Sequence, residues 1–71
     1  MKSSTLVSFA KRVREERKKI GISQEELAER AGVHRTYVGM IERAEKNITL
    51  ENIKKIANAL KIPISELVKT L

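Results

Sequence analysis

Cysteine, aspartate and tryptophan are absent from this sequence, and histidine, proline, tyrosine and phenylalanine occur once each. Without cysteine there are no disulfide staples, no thiolate zinc site and no thiol nucleophile. A lone histidine with no aspartate leaves metal-assisted hydrolysis and acid–base dyads without their usual groups. No metal, no cofactor and no catalytic activity are therefore expected. No apolar run approaches the roughly 20 residues of a membrane span, and residues 1–5 lead into a basic amphipathic stretch instead of an apolar signal core. The expectation is a cytoplasmic protein with neither a membrane nor a small-molecule substrate as partner. Runs of alternating β-branched residues are also missing, which removes the pattern of a half-buried strand.

What is present fits one small helical domain spanning residues 1–71. Fifteen lysines and arginines against nine acids give a formal charge of +6, which favours an anionic partner such as nucleic acid or an acidic membrane surface. A chain of this size buries only about 60% of the surface exposed when unfolded, so help from a second subunit is expected. Leu6, Phe9, Ala10, Val13, Arg17 and Ile20 recur at helical spacing, with Ser4 or Thr5 as N-cap and Gly21 as the stop; this predicts a helix over 6–20. Ser23 to Glu26 reads as a capping box, with Glu26 reaching back to the start of a second helix that turns Leu27, Ala28 and Ala31 inward. After Gly32 a third helix spans about 34–42, with Val38, Ile41 and Glu42 on one face. Thr49 caps a fourth, whose stripe is Leu50, Ile53, Ile56, Ala57 and Leu60. Pro63 opens a last short helix carrying Ile64, Leu67, Val68 and Leu71 inward or toward a partner.

The second and third segments are each about two turns long and are joined around a glycine, which is the sequence form of a helix-turn-helix. Ala28 is small enough for a close crossing, Gly32 tolerates positive φ at the turn, and Val38 and Ile41 anchor the second helix. An ordinary helical hairpin could share these features. Arg17, the run Lys19 to Ala28, Ala31-Gly32-Val33, Tyr37-Val38 and Ile41-Glu42-Arg43 together resemble the phage-repressor-like (Xre-type) helix-turn-helix family, over Phe9 to Leu67. Within it, Arg35 to Val38, Ile41 to Arg43, Asn47 and Thr49-Leu50 are most similar to the controller proteins of restriction-modification systems. The resemblance implies an all-α, compact five-helix lambda-repressor-like DNA-binding domain. It further implies dimerisation through the C-terminal helices and regulation of transcription from palindromic operators on double-stranded DNA.

With the inward residues of the third helix removed, His34, Arg35, Thr36, Gly39, Met40 and Arg43 remain on its outer side, the side that enters a major groove in this motif. Arg35 is the leading base reader, because its fork matches guanine O6 and N7 in a contact worth about 1–3 kcal/mol of discrimination. A solvated surface residue, or phosphate contact alone, is the plainer alternative for it. Thr36, Met40 and Gly39 complete the expected base contacts, and Met40 stands where family members often carry a hydrogen-bonding side chain. Gln24, Tyr37, Arg43, Lys46 and Asn47 are the expected phosphate contacts, since such contacts gather at the edges of the motif. Most of the run Lys11 to Lys19 is read as a solvated face, with Glu15 and Glu16 able to pair locally with Lys19 and Arg12. His34 is read as an N-cap.

Three further expectations concern architecture. Arg17 and Glu42 both lie on inward faces, where a charge needs a partner, and the resemblance implies that these two positions pair; the alternative is an Arg17 stem that reaches solvent. Ile64, Leu67, Val68 and Leu71 are expected at a two-fold interface or covering the core. Ala44 falls where many family members leave helix 3 with positive φ through Gly or Asn, so Ala44→Gly is expected to stabilise by about 1 kcal/mol. The competing function is an antitoxin or other protein-binding helical module. A long segment outside the helices would favour that reading, and this sequence stops almost directly after helix 5.

Overall fold

The computed structural model describes residues 3–71. Five helices follow one another: α1 (Ser4–Lys19), α2 (Gln24–Ala31), α3 (Arg35–Glu42), α4 (Leu50–Leu60) and α5 (Ile64–Val68), with no strand among the described residues. Helix α1 begins earlier than its periodicity suggests because Ser3 is its cap: the Ser3 hydroxyl accepts from the Leu6 amide, and the Val7 amide reaches the Ser3 carbonyl at 2.9 Å. Of several adjacent hydroxyls, the first one able to cap gives the longest run of backbone hydrogen bonds. Ser23 and Thr49 cap α2 and α4 in the same way, at 3.0 and 3.1 Å. The box at Ser23 is only half made, because the Glu26 carboxylate pairs with Arg30 at 2.6 Å, one turn further on.

The core gathers Phe9 and Val13 from α1, Leu27 and Ala28 from α2, and Val38 and Ile41 from α3, with Ile56, Leu60 and Leu67 closing it from below. Helix α2 packs on α3 and α4, while α1 packs on α3 and α5. Gly32, at φ 71°, gives the left-handed turn that sends the chain from α2 into α3, a conformation that a Cβ disfavours. Some expected inward positions turn out otherwise. Ile20 is 43% exposed because α1 stops at Lys19 and the chain leaves the stripe, and Ile22 enters the core in its place. Leu50 is 73% exposed as the first residue of α4, before the stripe has turned toward the core.

The basic stretch of α1 is likewise not simply a solvated face. Arg12 and Glu16 are buried and joined at 2.9 Å, and Arg12 also donates to the Glu66 carbonyl at 2.7 Å, tying α5 to α1. Lys19 joins Glu16 at 3.0 Å. That hydrogen bond, helped by Arg12 and opposed by burial, holds the Glu16 carboxyl below the usual carboxylate range.

Arg17 and Glu42 meet across α1 and α3. Arg17 Nε donates to Glu42 Oε2 at 2.7 Å and Nη2 to Oε1 at 3.0 Å, while Nη1 reaches the Ile22 carbonyl at 3.0 Å. Gln24 adds an amide donor to Glu42 Oε1 at 3.0 Å. The Glu42 side chain is 2% exposed and that of Arg17 is 14% exposed. Every buried side-chain polar atom among the described residues has a partner, which is the condition under which a buried pair is tolerated.

Breaking this pair from one side should cost about 3–5 kcal/mol. Arg17→Met should cost more than Glu42→Gln, since it strands the more deeply buried charge. Thermal unfolding of both variants and of the double variant checks this: the double should be less damaged than the sum, whereas strict additivity would mean that the pair is not coupled. A second prediction concerns left-handed residues other than glycine, Ala44 (φ 59°) and Lys61 (φ 60°). Lys61 is exposed, so Lys61→Gly should relieve the Cβ clash and stabilise by about 1 kcal/mol, a rise of about 4–8 °C in Tm for a domain of this size. Ala44 is only 7% exposed. Its methyl burial, worth about 0.8 kcal/mol, offsets most of the same gain, so Ala44→Gly should raise Tm less than Lys61→Gly. An equal or larger rise for Ala44→Gly would show that its methyl packs against nothing of consequence.

Candidate nucleic-acid interface

Helix α3 begins at His34, whose Nδ1 accepts from the Thr36 amide at 3.1 Å, so this histidine caps a helix. No group of acids and histidine able to hold a metal occurs among the described residues. From this start, Arg35 and Thr36 project into solvent on the first turn while Val38 and Ile41 are buried on the opposite side. The outer face of α3 and the first turn of α2 border one open cleft, lined by Ser23, Gln24 and Glu25 on one side and Arg35, Thr36, Gly39 and Arg43 on the other. The N-terminal end of α2 adds free amides and the positive end of its dipole, which suits a phosphate.

The expected base-contacting residues do not all stand alike. Arg35 is exposed and carries an ion pair, its Nη1 lying 2.7 Å from Glu25 Oε2. Thr36 is exposed and Met40 is half-buried. Gly39, expected on the outer face, is buried: a Cβ built there would lie 3.0 Å from Arg43 Nη1 and 3.7 Å from Gln24 Oε1. The glycine makes room for side chains that cross over it, and those side chains, not its own backbone, form the surface.

Among the expected phosphate contacts, Lys46 and Asn47 are exposed in the loop between α3 and α4. Arg43 is exposed, with Nε donating to Glu45 at 3.1 Å. Gln24 and Tyr37 are half-buried. The Gln24 amide is drawn toward Glu42, and the Tyr37 hydroxyl accepts from Asn52 Nδ2 at 3.0 Å. This bond ties the middle of α3 to α4, so Tyr37 presents an oxygen held at a fixed place.

The C-terminal residues separate as well. Leu67 is fully buried in the chain's own core, so it cannot face a partner, and the expectation of an interface contact there is corrected. Its position on α5 points it between α1 and α4, where core closure needs it. Ile64 and Val68 are half-buried against that core and Leu71 is 55% exposed. Ser8 and Thr70 share a hydroxyl hydrogen bond at 2.7 Å that fixes the chain end on α1.

Other contributors escape a reading by periodicity. Arg14 donates to the Glu42 carbonyl at 2.5 Å and so caps the exit of α3 from outside. Glu25 touches Arg35, the expected base reader, from ten residues away. Neither contact follows a helical spacing, since each joins different elements, and only the charge of Glu25 beside the cleft could have hinted at it.

Comparison with known proteins agrees with this geometry. The helix-turn-helix family HTH_3 matches residues 13–67. The chain is 44% identical to control protein C.SmaI of Serratia marcescens, over 83% of this chain and 70% of that one. It is 40% identical to control protein C.BamHI of Bacillus amyloliquefaciens, over 94% and 84%. Its fold matches the crystal structure of the restriction-modification controller protein C.AhdI from Aeromonas hydrophila with a TM-score of 0.90 at 48% identity, covering 92% of this chain and 98% of that one. With the helix pair, the outward-facing first turn of α3 and these relatives in agreement, the chain belongs to the HTH_3 helix-turn-helix family and is a DNA-binding regulator of transcription.

Proposed function

We propose that the chain is a controller-type regulator that binds palindromic operators as a homodimer, acting as repressor or activator in the cytoplasm and catalysing no reaction. The observation that carries this reading is the first turn of α3: Arg35 and Thr36 stand exposed on a helix whose other face is locked to α1 by the buried Arg17–Glu42 pair. A reading helix must present its side chains at a fixed angle, because hydrogen bonds to base edges fail with small displacements. Lys46 and Asn47, exposed in the loop beyond α3, are the residues this reading assigns to backbone phosphate, where contacts set register. The control-protein relatives, spanned over most of their length, support the controller assignment. The +6 charge supplies sequence-independent attraction to DNA. No helix among the described residues is long and apolar enough to cross a membrane.

A single copy of α3 reads too few base pairs for high specificity, and two copies related by a two-fold axis read half-sites about one helical turn, 34–36 Å, apart. The exposed Leu71, together with the partly buried Ile64 and Val68, offers apolar surface for that pairing.

Selection from random duplexes followed by footprinting should return a site with dyad symmetry at that spacing. Arg35→Ala should then lose about 1–3 kcal/mol at one base pair of each half-site and relax the preference there, while Lys46→Ala should weaken all sequences alike and flatten the salt dependence. Equal loss on every sequence for Arg35→Ala would reduce that residue to a phosphate contact. For the dimer, sedimentation of the wild type should show a two-fold species that Leu71→Asp weakens by about tenfold or more while the helix content stays unchanged. A folded wild type that is monomeric at high micromolar concentration overturns the homodimer.

A further inference from the structure

We propose that Glu25 is a specificity-determining positioning residue: its carboxylate holds the Arg35 guanidinium toward the groove and penalises complexes in which Arg35 turns to the DNA backbone. The inference rests on the reading that Arg35 contacts a base. Glu25 is the second residue of α2, Arg35 is the first of α3, and the two meet at 2.7 Å at the mouth of the cleft, with both side chains 68% exposed. An ion pair so exposed contributes almost nothing to folding, so stability does not account for an acid on the one face that a polyanion must approach.

The chemistry of the pair does. Arg35 spends Nη1 on Glu25, which leaves its Nε and Nη2 donors as one planar edge for the paired acceptors of guanine. A guanidinium tethered at one corner also has fewer orientations to lose on binding, which lowers the ordering cost of the contact. On an unspecific sequence Arg35 gains most by swinging onto a phosphate. That movement abandons Glu25 beside the phosphates, at a place where the neighbouring amides of the α2 start invite the backbone close. The carboxylate thus costs little when Arg35 points into the groove and much when it does not. Specificity is a difference of affinities, and a repulsive element against the wrong complex raises it without any new attractive contact.

The test uses the full chain, the operator obtained by selection with the wild type, and a mixed-sequence duplex of equal length, at fixed salt near 0.15 M. Glu25→Gln keeps the side-chain shape and removes the charge. It should raise affinity for mixed-sequence DNA while leaving or lowering affinity for the operator, so that the ratio of the two falls by on the order of fivefold or more, within the range that one bidentate base contact supplies. In an Arg35→Ala background the same change should raise both affinities equally and leave the ratio unmoved. A ratio unchanged or increased by Glu25→Gln in the wild-type background overturns the proposal, because Glu25 would then act as a plain surface charge. If Arg35→Ala alone leaves the ratio intact, base reading by Arg35 fails first and this inference falls with it, an outcome distinct from failure at Glu25. Equal far-ultraviolet circular dichroism of all variants confirms that folding is not the source of the difference.

Discussion

The Arg17–Glu42 pair is the contact on which the orientation of α3 depends. Helix α3 has only eight residues, about two turns, too few to be stable alone. Its composition does not help: Thr36, Tyr37 and Val38 lose rotamer freedom in a helix and Gly39 loses backbone freedom. It therefore exists because other elements hold it. Arg17 grips the Glu42 carboxylate, Arg14 takes the Glu42 carbonyl and Asn52 takes the Tyr37 hydroxyl. Apolar burial of Val38 and Ile41 supplies adhesion, but apolar contact is nondirectional. The forked, fully satisfied ion pair supplies the angle.

That division of labour explains why a charge pair sits where apolar residues would cost less. A hydrophobic replacement of similar volume is often neutral or stabilising. Yet Glu42 also accepts from Gln24, so one carboxylate joins α1, the start of α2 and the end of α3. The cleft between α2 and α3 is thus referenced to a common point. On α1 a second network does the corresponding work for the other end of the chain, with buried Arg12 reaching the Glu66 carbonyl of α5. Of the nine acids, Glu16 and Glu42 are buried in such internal fastening.

The fold was legible because its signals are local. Caps at Ser23 and Thr49, the turn glycines and the three- and four-residue apolar spacing depend on neighbours in sequence, and the element order, the helix-turn-helix and the inward positions of Arg17 and Glu42 follow from them, whereas their pairing is what the family resemblance implies. What periodicity missed depends on where an element stops or on what another element brings. Ile20 obeys the stripe of α1, yet the helix ends one residue before it. Arg12 and Glu16 look like a solvated helical pair until α5 covers them. Leu67 reads equally well as core or interface because one apolar face can meet either, and only the packing of α5 on α1 and α4 decides. At the candidate site, the exposure of Arg35 and Thr36 followed from subtraction of the buried face, whereas the burial of Gly39 could not, since it is produced by side chains folding over the backbone.

Gly39 shows what the interface asks of the fold. Glycine within a helix costs about 1 kcal/mol relative to alanine, and α3 is the helix least able to bear it. A Cβ there would lie 3.0 Å from Arg43 Nη1, tighter than ordinary packing, and the flexible tip of Arg43 would give way by a few tenths of an ångström. The same helix departs through Ala44 in a left-handed conformation and starts on a histidine cap, a weaker choice than serine or aspartate. Three departures from local preference thus meet on α3, while Lys61 at the end of α4 is the other left-handed residue that is not glycine among the described residues. Stabilising contacts from α1 and α4 offset them, and this is the pattern expected when a surface is shaped by an external partner instead of by folding.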